Sequence, residues 1–191
     1  MTTLGIIRHG STHWNKEGRA QGNSNIPLDQ DGLSDAYKLA ERLATENWDL
    51  IYSSDLLRAK QTAETIGKSI KNIEIHLDPR LREVGGGEIE GTTEEERISK
   101  WGKSWRELDL GIESADSVKA RALPFIEDIT YKHPNKNILI VSHGSYIKHL
   151  LKELVPHLST TDSPKNTSIT KIKKLENGWD SELYNCTVHL D

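Results

Sequence analysis

Residues Gly5 to Asn15 read GIIRHGSTHWN. A short apolar run ends in an arginine, a histidine and a glycine, then gives way to small polar residues. A run that is apolar at every step, without alternation, fits a strand buried on both faces of a parallel sheet. Its cationic end is either an ordinary strand exit or the floor of an anion-binding pocket. The choice depends on whether other strands of the chain end in the same way.

NILIVSHG (Asn137 to Gly144) repeats the pattern, and WDLIYSS (Trp48 to Ser54) is a third buried run. After each, the apolar period changes from strand to helix. In GLSDAYKLAERLATE the stripe is Leu33, Ala36, Tyr37, Ala40, Leu43 and Ala44; in DLLRAKQTAETIGKSI it is Leu56, Ala59, Ala63, Ile66 and Ile70. Ile147, Leu150, Leu151 and Leu154 form another after His143. SVKARALPFIEDITYK reads as a helix with Pro124 near a kink, and IEIHLD (Ile73 to Asp78) as a strand. Near the C-terminus two strands flank Glu176-Asn177-Gly178, an Asn-Gly hairpin signal. Repeated strand–helix units give an α/β fold: a mostly parallel central sheet with helices on both faces. Residues 85–117, with glycines, glutamates and two tryptophans but no clean period, are expected to form a small lid-like excursion over the sheet. The whole chain, 1–191, is expected to be one domain.

Composition narrows the function. With 25 Lys and Arg against 29 Asp and Glu, the net charge is −4, and no run of basic residues offers a nucleic-acid surface. One cysteine, Cys186, rules out an internal disulfide framework and a multi-cysteine metal site. No apolar run approaches the ~20 residues of a membrane span, and MTTLGII (Met1 to Ile7) lacks the features of a secretion signal. A cytoplasmic protein without a membrane partner is expected.

In open α/β sheets ligands collect at the carboxyl ends of strands, where helix N-termini present free N–H groups. The first strand delivers Arg8 and His9 there. The second leads to Asp55, expected to cap the next helix, and to Arg58 in its first turn. The last ends in Ser142, His143 and Gly144. Each residue alone has a plainer reading, as a solvated arginine or a hydrogen-bonded structural histidine. That reading must be repeated at four equivalent positions, whereas a phosphoryl site explains all of them at once, because the guanidinium fork matches phosphate oxygens. A metal site is disfavoured: HExxH spacing is absent, and Arg8 and Arg58 would repel a dication. Dinucleotide and P-loop fingerprints are also missing, so no cofactor is expected. Ser11 and Thr12 lack the G-x-S-x-G elbow of a serine nucleophile.

Taken in order, RHGST (Arg8 to Thr12), SSDLLRAKQTA (Ser53 to Ala63), LREVGGGEIEG (Leu81 to Gly91) and VSHG (Val141 to Gly144) resemble the histidine phosphatase superfamily, in its phosphoglycerate-mutase-like branch. The resemblance extends through NTSITKI and NCTVHL near the C-terminus. It implies a three-layer sandwich and a phosphohistidine mechanism that needs no metal. His9 would be the nucleophile and Glu83 the proton donor to the leaving oxygen. Arg8, Arg58 and His143 would form the phosphate pocket. Asn15 would add a side-chain donor, Gly144 a backbone N–H, and Ser11 and Thr12 further substrate contacts. Flanking arginines would keep His9 unprotonated, and partial burial beneath the excursion or the charge of bound phosphate would keep Glu83 protonated. Glu88 and Glu90 are alternative acids. Where the family usually has a G-x-W-E-G type of segment this chain has GGGEIEG, so an aromatic wall is expected to be missing; Trp101 and Trp105, at i, i+4 spacing, could replace it, although their burial tendency favours a role as packing anchors. Cofactor-dependent mutases of the branch carry a longer insertion after the acid. The short segment here favours a hydrolase acting on a small phosphomonoester, with a phosphoglycerate mutase or a non-catalytic phosphate-binding module as alternatives.

Overall fold

The computed structural model describes residues 1–159 and 162–191. Strands β1 (Thr3–Arg8), β2 (Leu50–Ser53), β3 (Glu74–Leu77), β4 (Asn137–Ser142), β5 (Ile169–Leu175) and β6 (Gly178–Cys186) form one sheet, ordered β3-β2-β4-β1-β5-β6. β1, β2, β3 and β4 run parallel; β5 and β6 are added antiparallel beside β1. The helices are α1 (His13–Glu17), α2 (Gln30–Leu43), α3 (Leu57–Ser69), α4 (Glu94–Trp101), α5 (Ala115–Lys132) and α6 (Gly144–Leu154).

The unbroken apolar runs of β1 and β4 have a direct cause: alternate side chains enter two different cores. Leu4, Ile6, Ile138 and Ile140 pack with Val118, Phe125, Ile147 and Leu151 of α5 and α6. Ile7, Leu139 and Val141 pack with Leu39, Leu43, Ala63 and Ile66 of α2 and α3 on the other side. The sheet is therefore covered on both faces, as the sequence implied. Among the described residues no helix is long and apolar enough to cross a membrane.

Several local expectations change. On α2 the buried stripe is Gly32, Ala36, Leu39, Ala40 and Leu43; Leu33 and Tyr37 are 45% and 55% exposed. Asp55 does not cap α3, whose N-cap is Leu56 without a side-chain bond, because its carboxylate is gripped bidentately by Arg82 at 2.7 Å on each oxygen. The β5–β6 hairpin forms, but Gly178 (φ 128°) already pairs with Leu175, so Glu176-Asn177 is the loop. Residues 85–114 are more regular than their composition suggested. α4 is closed by a capping box between Thr93 and Glu96, and α5 begins at Ala115, inside the span expected for the excursion.

Register places the chemistry. Arg8 is the partner of Ser142 across the β1–β4 ladder, so His9 and His143 are each one step beyond the end of a paired strand. Ser53 pairs with Val141, which brings Ser54 and the start of α3 to the same edge. Histidines 134 positions apart in sequence meet because the ladder runs in step.

Candidate active site

At this edge lies a cavity of about 280 Å³ whose walls include Arg8, His9, Asn15, Arg58 and Glu83. Five residues singled out from three separate parts of the sequence thus converge on one space.

His9 is buried and its tautomer is set by its neighbours. Nδ1 lies 2.6 Å from the carbonyl oxygen of Gly10 and carries the ring proton; Nε2, with its lone pair, accepts from Arg58 Nε–H at 3.3 Å. Its pKa is well below 6.5, chiefly through burial, with Arg58 and Arg8 adding to the effect and the Gly10 bond opposing it. Burial, which the sequence does not display, is a larger cause than the flanking arginines.

Arg58 is fully buried in the first turn of α3. Nη1 donates to the carbonyl of Ser24 at 2.6 Å and Nη2 to that of Gly22 at 2.7 Å. Burial lowers its pKa to about 10, opposed by the charge of Glu83, so it remains a cation at neutral pH. Arg8 is anchored by Nη1 to the carbonyl of Pro164 at 2.6 Å, and its Nε is buried without a partner. Gly144 opens α6 directly against it: a Cβ there would stand 3.2 Å from Arg8 Nε.

His143 lies behind the cavity wall, its ring centroid 5.2 Å from that of His9. Nε2 is 2.8 Å from the Ser54 hydroxyl, which also accepts from Leu56 N–H at 3.3 Å; Nδ1 is buried without a partner. Its pKa too is well below 6.5, first through burial, then through Arg58, His9 and Arg8. It is a neutral donor or acceptor, not a third cation.

Glu83 faces the arginines from the opposite side. Oε1 accepts from Tyr146 N–H and from its neighbour Val84 N–H, both at 2.8 Å, and Oε2 from Ser145 N–H at 3.1 Å. The carboxylate is thus seated on the N-terminus of α6 rather than tucked beneath the excursion. Arg121 of α5, unremarked in the sequence, donates to the carbonyls of Arg80, Arg82 and Glu83. Arg121 also grips Glu113, whose pKa falls to about 2, mainly through that bond.

Asn15 turns Oδ1 toward Thr12, accepting from its N–H at 3.1 Å, which leaves the Nδ2 end for the cavity. Ser11 and Thr12 do not reach it, which corrects the expectation that their side chains contact substrate. Ser11 Oγ donates to Asp29, the N-cap of α2, and Thr12 caps α1 while donating to Gln21. Among the described residues lining the cavity there is no Trp, Tyr or Phe. Ile89 stands in the segment, joined by Val84 and Ile112. The tryptophans do not supply an aromatic wall. Gly102 (φ 86°) ends α4 between them; Trp105 is buried, donating Nε1–H to Glu94 at 3.1 Å, with Arg97 and Arg106 over its ring.

Comparison with known proteins agrees with this geometry. The family model "Histidine phosphatase superfamily (branch 1)" matches residues 4–187. The chain is 32% identical over 193 residues to an uncharacterized phosphatase, PhoE, of Bacillus subtilis, covering all of this chain and 97% of that one. It is 30% identical to a metal-independent phosphoserine phosphatase of Arabidopsis thaliana, covering all of this chain and 84% of the relative. Among solved structures, Bacillus stearothermophilus YhfR superposes with a TM-score of 0.89 at 31% identity, over the full length of both chains.

Proposed function

The chain belongs to the histidine phosphatase superfamily, branch 1, and we propose that it hydrolyses small phosphomonoesters through a phosphohistidine formed on His9. The observation that carries this reading is the state of His9: a neutral imidazole in the wall of a cavity, its Nε2 lone pair held only by a long 3.3 Å bond from Arg58, with Arg8, Arg58 and Glu83 around the same space.

The steps follow from that arrangement. As a phosphate oxygen takes over the long bond from Arg58 Nε–H, His9 Nε2 attacks phosphorus, the N–P bond forms, and the ester O–P bond breaks. Glu83, carrying a proton taken up with the charge of the bound phosphate, gives it to the departing oxygen, and the alcohol leaves. Water then attacks the phosphohistidine, passing its proton to the Glu83 carboxylate as the N–P bond breaks and inorganic phosphate is released. Of the five N–H groups of Arg58, three are held by His9, Gly22 and Ser24, which leaves one on each terminal nitrogen for phosphate oxygens. Arg8 and the Asn15 amide supply the rest. Fixed donors aimed at the transferring group provide most of what phosphoryl transfer requires. His143 holds Nε2 against the Ser54 hydroxyl, which leaves its buried Nδ1 without a partner near the His9 ring.

The leaving group sits against Val84, Ile89 and Ile112, with the segment from Gly85 to Ser114 as the cap of a single domain. Hydrolysis is favoured over mutase action because, among the described residues of the cavity wall, no arginine or lysine beyond Arg8 and Arg58 is left without a carboxylate partner. The third arginine of the cavity wall, Arg19, is already bonded to Glu17 and Glu96. The test is turnover of 4-nitrophenyl phosphate. Hydrolysis unaffected by chelator and inhibited by vanadate is expected; phosphoglycerate interconversion with added bisphosphate, outpacing hydrolysis, would favour a mutase.

A further inference from the structure

Glu90 was an alternative proton donor in the sequence, yet its carboxylate is occupied elsewhere. Oε1 accepts from Asn23 N–H at 2.8 Å and from Gly86 N–H at 3.1 Å; Oε2 accepts from the Ser24 hydroxyl at 2.8 Å. The packing leaves no slack. A Cβ on Gly22, itself at φ 48°, would fall 2.0 Å from Glu90 Oε1, and one on Gly86 would fall 2.7 Å from Glu90 Cγ. Two backbone bonds continue the seam, Gly91 N–H to Ala20 O at 2.8 Å and Ala20 N–H to Thr92 O at 3.0 Å.

The loop held in this way is the one that aims Arg58. Gly22 and Ser24, which supply the two carbonyls gripping the Arg58 guanidinium, flank Asn23, whose N–H is bound by Glu90. Gly86, at the other end of the knot, is three residues beyond Glu83. One carboxylate therefore joins the loop that orients the phosphate clamp to the segment that carries the acid.

We propose that Glu90 is a positioning residue: by tying the Gly22–Ser24 loop to Gly86 it fixes Arg58 against His9 and sets Arg58 and Glu83 at working distance across the cavity. It transfers no proton. The inference rests on the phosphatase reading above.

Glu90→Ala, Glu90→Gln and wild type are compared for kcat/KM on 4-nitrophenyl phosphate and on an alkyl phosphate, and for the inhibition constant of vanadate. Loss of the knot should lower kcat/KM of Glu90→Ala about tenfold to a hundredfold, by the same factor for both substrates, with vanadate weakened in parallel. Glu90→Gln should stay within about threefold of wild type, because the amide oxygen can accept from Asn23 and Gly86 while its NH₂ donates to Ser24 Oγ. A glutamine variant as impaired as the alanine one, with a loss that grows for the poorer leaving group, would make Glu90 a proton donor and overturn the proposal. Unchanged vanadate affinity in Glu90→Ala would overturn it as well. If Glu90→Ala does not fold, Ser24→Ala, which deletes one bond of the knot, should still weaken vanadate several-fold; unchanged affinity there sinks the idea. Failure of the phosphatase reading is distinguishable, since wild type itself would then be inactive. The Arg58 Nε–H resonance still reads the knot in that case: it should be slow to exchange in wild type and Glu90→Gln, and lost or shifted in Glu90→Ala. An unaltered resonance in Glu90→Ala contradicts the proposal.

Discussion

The wall of the cavity that carries Arg8, His9 and Arg58 is made of a strand end and a helix start, whereas the wall that carries Glu83, Val84, Ile89 and Ile112 is mostly irregular chain. On the first wall the backbone is fixed by ladders buried on both faces, and His9 and Arg58 are taken out of water. On the second, position depends on a few side-chain bonds: Glu83 to α6, Arg121 to three carbonyls, Glu90 to the Gly22–Ser24 loop. Groups whose charge state must be fixed sit where burial can fix it. Groups that meet the variable part of a substrate ride on chain that can change without disturbing the sheet.

If the second wall carries the acid, Glu83→Gln should cost about 10²- to 10³-fold in kcat on an alkyl phosphate and far less on 4-nitrophenyl phosphate, whose leaving group needs little protonation. Equal losses on the two would break the division of labour. On the first wall, Arg58→Lys keeps a charge but gives up the fork that bonds Gly22, Ser24 and His9 together. A loss of about a hundredfold in kcat/KM, independent of leaving group, is expected from paired assays on the same esters.

Burial of the first wall also fixes a pH dependence. His9 and His143 are both lowered well below 6.5, burial being the main cause in each. Below 6.5 the unfolded chain takes up protons on these rings that the folded protein does not. Stability is therefore complete above about pH 6.5 and falls with decreasing pH, by up to about 1.4 kcal/mol per pH unit for each ring. Melting temperatures from pH 8 to 5 should show this acid limb, and His143→Gln should make it shallower; an unchanged limb would mean that His143 is not held neutral. The smallest effect belongs to the rim. Ile89→Ala should change KM for bulky aryl phosphates a few-fold while leaving inhibition by inorganic phosphate unaltered. A change in phosphate inhibition would show that the two walls are not separable.

The same contrast explains what could be read from the sequence. β1 and β4 announce themselves because burial on both faces leaves an unbroken apolar run, and Arg8, His9 and His143 follow at once from where those runs stop. Ser54, Glu90 and Arg121 leave no such trace. Each acts on residues distant in sequence: His143 lies 89 positions from Ser54, and Asn23 lies 67 from Glu90. Spacing also misled where a single residue decided the geometry. Trp101 and Trp105 have helical spacing, but Gly102 in the left-handed region separates them, and Trp105 is a buried packing anchor, the role its burial tendency favoured. Asp55 has the chemistry of an N-cap, but a distant partner, Arg82, claims its carboxylate. Ser11 and Thr12 sit beside the nucleophile in sequence, yet their hydroxyls serve helix caps.

Everything in this mechanism depends on where the phosphoryl group is held between the two steps. Rapid quenching during turnover, followed by phosphorus NMR and mass-spectrometric mapping of the denatured protein, reads this directly. The expected result is an acid-labile, alkali-stable phosphoramidate on Nε2 of His9, absent from His9→Ala together with turnover. A phosphoenzyme that persists in His9→Ala, or that maps to a serine or a carboxylate, would contradict it.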